Sequence, residues 1–243
     1  KITLLGHLVN NSSYLDNNTA GGGIVLAGTS LQQISGLGGF GRLELNNSAG
    51  ATTLNDISLQ NDLVLTSGVL NINSNQLTLS PSSSIGGAPF GLTKMIKTDG
   101  ASSSLGLSKF FSIGTANFTF PVGVAGKYTP GNFNITANSS LGYYITVSPV
   151  NQSAPSVLDP SNVLQYYWQI ESSGLSGLSG NAQFYYLAPT DVFGGPENVY
   201  VSAWLENPGT IWIKSPVGPA TDNVNETSHF VHFDFSSTNN ISG

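Results

Sequence analysis

Cysteine is absent from all 243 residues. That excludes disulfides, thiolate nucleophiles, zinc–thiolate sites and iron–sulfur clusters. Charge is nearly as scarce: 7 Lys+Arg and 13 Asp+Glu make up 8% of the chain, where an ordinary soluble domain carries roughly 25%. So few basic residues cannot neutralise a phosphate backbone, and nucleic acid is not an expected partner. No apolar run approaches the roughly 20 residues of a membrane helix, so no membrane-spanning segment is expected. Good helix formers such as Glu, Lys, Arg and Met are few. No window carries an apolar stripe at i, i+3, i+4, i+7. The chain starts at Lys1 with neither Met nor an apolar leader, and reads as a mature chain or a piece of a longer one.

What is abundant is polar and neutral: 33 Ser, 24 Asn and 19 Thr stand beside 29 Gly. Thr and the aromatics favour strands, while Ser, Asn and Gly favour turns. Hydrophobic residues make up 39%, enough for a large core and too many for intrinsic disorder. The expected fold class is all-β.

Residues 41–60 (GRLELNNSAGATTLNDISLQ) align without a gap on residues 61–80 (NDLVLTSGVLNINSNQLTLS). Leu43 falls on Leu63, Leu45 on Leu65, Ile57 on Leu77 and Leu59 on Leu79. Each copy holds two x-L-x-L strands separated by Asn/Ser/Gly turns, and alternate residues of a strand share a face. A 20-residue unit cannot bury that face alone, whereas stacked copies form a continuous core. The pattern predicts a short β-helix or solenoid-like module, with 24–26 and 31–34 as an earlier, degenerate turn. An evenly spaced meander of hairpins is the plainer alternative.

Residues 81–89 (PSSSIGGAP) are dense in turn formers and mark the expected boundary. The reading is a β-helix-like repeat module over 1–88 and a β-sandwich module over 89–243. All three tryptophans lie in the second module. Its candidate strands are 117–120, 132–136, 143–148, 165–170, 182–187, 199–205, 210–214 and 230–235, a spacing that suggests a sandwich. Residues 174–180 (GLSGLSG) read as a flexible connection.

Several motifs occur in a recognisable order: AGTSLQQISG at 27–36, FGRLELNNS at 40–48, LVLTSGVLNINSNQLTL at 63–79, then Lys94 and Lys97, FPVG at 120–123 within FTFPVG, YTP at 128–130 and YWQI at 167–170. Across roughly residues 24–170 this order resembles large secreted cell-surface proteins of Bacteroidota, adhesins or adhesin-like. The resemblance implies an extracellular, bacterial cell-surface location, often reached through the type IX secretion system. The sorting domain that ends such proteins has no counterpart here.

Chemistry-bearing residues are sparse. Nucleophilic catalysis needs a base beside Ser or Thr, and the only histidines are His7, His229 and His232. There is no G-x-S-x-G elbow. Alternation sets His229 with Val231, Phe233 and Phe235 on one side of a half-buried strand, and His232 on the other. No catalytic residue and no metal site are assigned. Asp56 and Asp62, near one corner of the repeat, are oxygen ligands of the kind calcium takes, but two carboxylates specify nothing; no cofactor is expected. Four of the seven basic residues fall between Lys94 and Lys127, where stems laid over apolar surface at the junction explain them more simply than an acidic glycan. Ten Asn-x-Ser/Thr sequons follow from the abundance of those residues.

The aromatics offer one contact surface. Tyr200 and Trp204 alternate with Val199, Val201, Ala203 and Leu205. The turn at 206–209 (ENPG) would fold 199–205 onto 210–214, setting Trp204 and Trp212 together on one face. Such a face either packs in the core or, if outward, stacks on sugar rings or anchors a partner. Tyr200, Trp204 and Trp212 are therefore the candidate ligand or partner contacts, toward a surface glycan or a neighbouring subunit. The functional expectation is a non-enzymatic surface protein serving in adhesion or as a stalk. The alternatives are an accessory module of a secreted polysaccharide-degrading enzyme, and a filament or sheath subunit joined by strand addition.

Overall fold

The computed structural model describes residues 1–14, 22–139, 142–155, 157–173, 178–197, 203–205, 212–214 and 223–235. The chain is all-β. It opens by visiting three sheets in a fixed order. A first turn gives β1 (Ile2–Leu4) and β2 (Leu8–Val9). A second gives β3 (Ile24–Leu26), β4 (Gln32–Ser35) and β5 (Gly39–Phe40). The next two give β6 (Leu43–Asn46), β7 (Ala51–Thr53) and β8 (Ile57–Leu59), then β9 (Leu63–Ser67), β10 (Leu70–Asn73) and β11 (Gln76–Leu79). A last one gives β12 (Ile85–Gly86), β13 (Ile96–Thr98) and β14 (Gly106–Phe111). Each strand pairs in parallel with its counterpart one turn away, so the sheet orders begin β1-β3-β6-β9-β12, β2-β4-β7-β10-β13 and β5-β8-β11-β14.

The 20-residue offset of the sequence is the register in space. Leu43 lies opposite Leu63 and Leu45 opposite Leu65. Ile57 lies opposite Leu77, and Leu59 opposite Leu79. All eight side chains are buried. The earlier turn joins them, with Ile24 opposite Leu43. Burying one such side chain contributes about 1.5–3 kcal/mol, which no single turn achieves because its inner face needs the turns above and below.

Polar side chains at the corners tie one turn to the next. Gln32 and Asn47 are buried; Asn47 Nδ2 donates to Ser30 O at 2.8 Å and to Gln32 Oε1 at 3.0 Å. Asp56 Oδ1 accepts from the Gln76 amide at 2.8 Å, and Asp62 Oδ1 from the Ser84 amide at 3.0 Å and its hydroxyl at 2.8 Å. Glycine is required where the chain turns against the previous layer. At Gly68 (φ 93°) a Cβ would sit 1.9 Å from the Asn47 carbonyl oxygen.

Parallel pairing joins residues on either side of 88, where the sequence suggested a boundary: Leu70 pairs with Ile96 and Leu77 with Leu107. The segment 81–89 contains β12, which pairs in parallel with β9. Beyond β14 come β15 (Ala116–Phe120), β16 (Val122–Val124), β17 (Lys127–Tyr128), β18 (Gly131–Ala137), β19 (Tyr143–Val150), β20 (Tyr167–Ser173), β21 (Ser179–Tyr185), β22 (Ala203–Leu205), β23 (Trp212–Lys214), β24 (Val224–Asn225) and β25 (Phe230–Phe235). β16 adds one more parallel strand to β13, and β17 folds back on β16. On the third sheet the pairing changes: β19 adds antiparallel to β14, and β20 adds antiparallel to β19. A separate antiparallel sheet runs β15-β18-β21-β25-β24.

Aromatic rings fill the inner side of that sheet. Phe120 meets Phe133 at 5.2 Å, Phe133 meets Phe184 at 5.6 Å, and Phe184 meets Trp168 of β20 at 5.3 Å, mostly edge to face. Leu8 at one end and Phe235 at the other belong to the same hydrophobic core. β21 begins three residues before the expected 182. The expected connection at 174–180 is only partly described, and its last two residues open β21.

Candidate functional site

The outer side of the five-stranded sheet carries its own chemistry. Alternation along β15, β18, β21 and β25 sends Phe118, Phe133, Ala182 and Phe233 inward, in register with one another. The residues between them face out and line up across the strands. One row reads Asn117, Asn134, Asn181, Asp234; the next reads Thr119, Asn132, Gln183, His232. Between these rows lies an open cleft of about 330 Å³, lined by Asn117, Thr119, Asn132, Asn134, Asn181 and Gln183, with Phe118 and Phe133 beneath. A third outward pair, Tyr185 and Phe230, continues the face with rings 5.4 Å apart.

The hydrogen bonding of this face is incomplete. Thr119 donates its hydroxyl to Asn132 Oδ1 at 2.8 Å, and Tyr185 Oη donates to Gln183 Oε1 at 3.3 Å. His232 Nε2 and Asp234 Oδ1 lie 3.1 Å apart. Asn117, Asn134 and Asn181 make no side-chain hydrogen bond among the described residues. Each therefore presents two N–H donors and a carbonyl acceptor outward. The sequence signal for this face was present as NFTF, NFNIT and NAQF, an alternation of amide or hydroxyl with apolar residues. In a chain so rich in Asn it reads equally well as turn composition.

Several titratable groups away from this face make internal contacts. Lys109 is buried in β14, donating from Nζ to the carbonyls of Ser80 at 2.6 Å and Pro81 at 3.0 Å. Burial pulls its pKa down to about 8, against a smaller opposing pull from Asp62. Lys127 pairs with the fully buried Asp191 and lies over the Tyr166 ring; Tyr166 in turn bonds Thr129, and burial holds its phenol above the usual range. Two of the four basic residues between 94 and 127 thus serve internal contacts. Glu197 Oε2 accepts from Tyr186 Oη at 2.7 Å and lies 2.9 Å from His229 Nδ1. His229 does not continue the alternation of β25, because a left-handed φ of 53° sets it just before the strand.

The sequence-derived contact residues are placed only in part. Tyr200 lies outside the described residues. Trp204 and Trp212 occupy the antiparallel pair β22–β23, as the turn signal required. Its register sets Trp204 opposite Ile213 and Leu205 opposite Trp212. Asp56 and Asp62 hold neighbouring turns, as above. No group of three or more His, Cys, Asp or Glu suited to a metal ion occurs among the described residues. Compared with protein-family models, curated proteins and solved structures, the chain matches none.

Proposed function

We propose that this chain is a non-enzymatic extracellular surface protein, acting in adhesion or as a stalk, in which a β-solenoid of stacked parallel turns spaces a β-sandwich away from its anchorage. The observation that carries this reading is the third sheet. Its strands β5, β8, β11 and β14 belong to the stack, and β19 and β20 extend the same sheet into the antiparallel region. The spacer and the module it presents share one hydrogen-bonded sheet and one core, the construction expected of a rod that holds its two ends at a fixed distance. The order of motifs shared with Bacteroidota surface proteins and the low charge, which leaves little for salt to screen, support the same reading. So does the engagement of Lys109, Lys127 and Asp191 in burial. The test is incubation of the purified chain with a panel of polysaccharides and peptides. Attachment without turnover is expected. Turnover abolished by a single Asp, Glu or His substitution overturns the proposal.

A further inference from the structure

We propose that the outer face of the β15-β18-β21-β25 sheet is a binding site for a neutral polysaccharide, the sugar chain crossing the strands along the two amide rows. This deepens the adhesive reading above and rests on it. The chemistry of the face selects the ligand class by elimination. Among the outward residues of the two rows, the only ionisable ones are His232 and Asp234, which face each other at 3.1 Å. An acidic ligand finds no lysine or arginine there, and a cationic one finds a single carboxylate already beside a histidine. The lining of the cleft is amide and hydroxyl with rings beneath, so an apolar helix or peptide gains little by covering it.

A neutral polyol matches what remains. A carboxamide sets a donor and an acceptor side by side, and adjacent sugar hydroxyls do the same. Asn117, Asn134 and Asn181 stand in register on neighbouring strands, about 4.8 Å apart, a step similar to the length of one pyranose unit. Among the described residues their amides make no internal bond that a ligand must break. Asn132 and Gln183 accept from Thr119 and Tyr185 through their oxygens, which leaves their NH₂ groups facing the cleft. The half-buried Tyr185–Phe230 pair at the end of the rows adds a ring surface for the C–H face of a sugar.

The experiment measures binding of the full chain to cello-, manno- and xylo-oligosaccharides by calorimetry, with polygalacturonate and heparin as acidic controls. The parent chain is expected to bind at least one neutral series, with little change on adding salt. Asn134→Ala/Asn181→Ala, at surface positions, should weaken that binding about tenfold or more and leave the melting temperature unchanged. Asn134→Asp, which keeps the shape but removes two donors, should weaken it as well. Binding undiminished in these variants overturns the inference while leaving the adhesive reading intact, since another face then holds the sugar. Binding to the acidic polymers alone, or to none of the probes, also overturns it. So does a dimer in sedimentation that the double variant abolishes, because a second copy would then be the occupant. Cleavage of a probe removes the adhesive reading itself.

Discussion

Leu45 and Leu65 lie directly over one another, as do Leu59 and Leu79, each leucine resting on its copy from the neighbouring turn. Phe120, Phe133 and Phe184 meet instead across antiparallel strands, tilted edge to face. The difference lies in what fills the core. In the stack, the buried side chains of successive turns are mostly leucine and isoleucine, each paired with its counterpart one turn away. Residues 41–80 contain no aromatic ring. In the antiparallel half, Phe and Trp rings of β15, β18, β20 and β21 meet in the interior. One core therefore runs from a laddered aliphatic half into an interlocked aromatic half.

The strongest way to break this comparison is a charge in the ladder. Leu63→Asp buries a carboxylate with no partner and should cost about 3–5 kcal/mol or more. Because sheet and core are shared, urea should unfold both halves together, in one transition seen alike by far-ultraviolet dichroism and tryptophan fluorescence. Separate transitions would divide the molecule where the core joins it. Phe133→Ala attacks the other half. Phe133 touches the rings of Phe120, Phe184 and Phe235, and its truncation should cost about 3–5 kcal/mol, read as a lower urea midpoint.

The junction answers to pH. Folded Lys109 gives up its proton near pH 8, whereas the unfolded chain keeps it to 10.5. In that window the unfolded state binds more protons, so stability should rise with pH. Above pH 10 the trend should reverse, because burial lifts the Tyr128 phenol to about 12 and the folded state then holds the extra proton. Lys109→Met should remove the rise and keep the fall; urea midpoints between pH 7 and 11 check both. Smaller still is Asp62→Ala, which removes two bonds to Ser84 of the next turn. It should cost about 0.5–1.5 kcal/mol. The least is Glu44→Gln on the outer side of the stack. The Lys1 contact foremost, then Thr66 and Arg42, hold that carboxyl below its usual range, so its contribution disappears as pH falls through that range. At about 0–1 kcal/mol the effect should shrink further in salt.

Much of the stack could be read from the sequence because its signal is repeated. An x-L-x-L pair recurring after twenty residues fixes face, register and partner at once. The signal faded where the repeat did. Ile85-Gly86 carries one apolar residue where Leu63–Leu65 carries three, amid a segment rich in Ser, Gly and Pro. The antiparallel pairing of 203–205 with 212–214 agrees with strands suggested by the alternation on either side of ENPG. The amide face was the least legible feature. Asn117, Asn134 and Asn181 are far apart in sequence, and only the pairing of β15, β18 and β21 sets them in a row.

The twenty-residue register also quantises length. Each repeat advances the chain by one strand spacing, about 4.8 Å. Losing or duplicating a whole unit leaves every leucine column intact, while a slip of one residue turns the columns outward. The number of stacked turns that precede the antiparallel sheet can therefore change only in whole steps. A lineage could lengthen or shorten the stack by copying or deleting units, with no redesign of the antiparallel sheet.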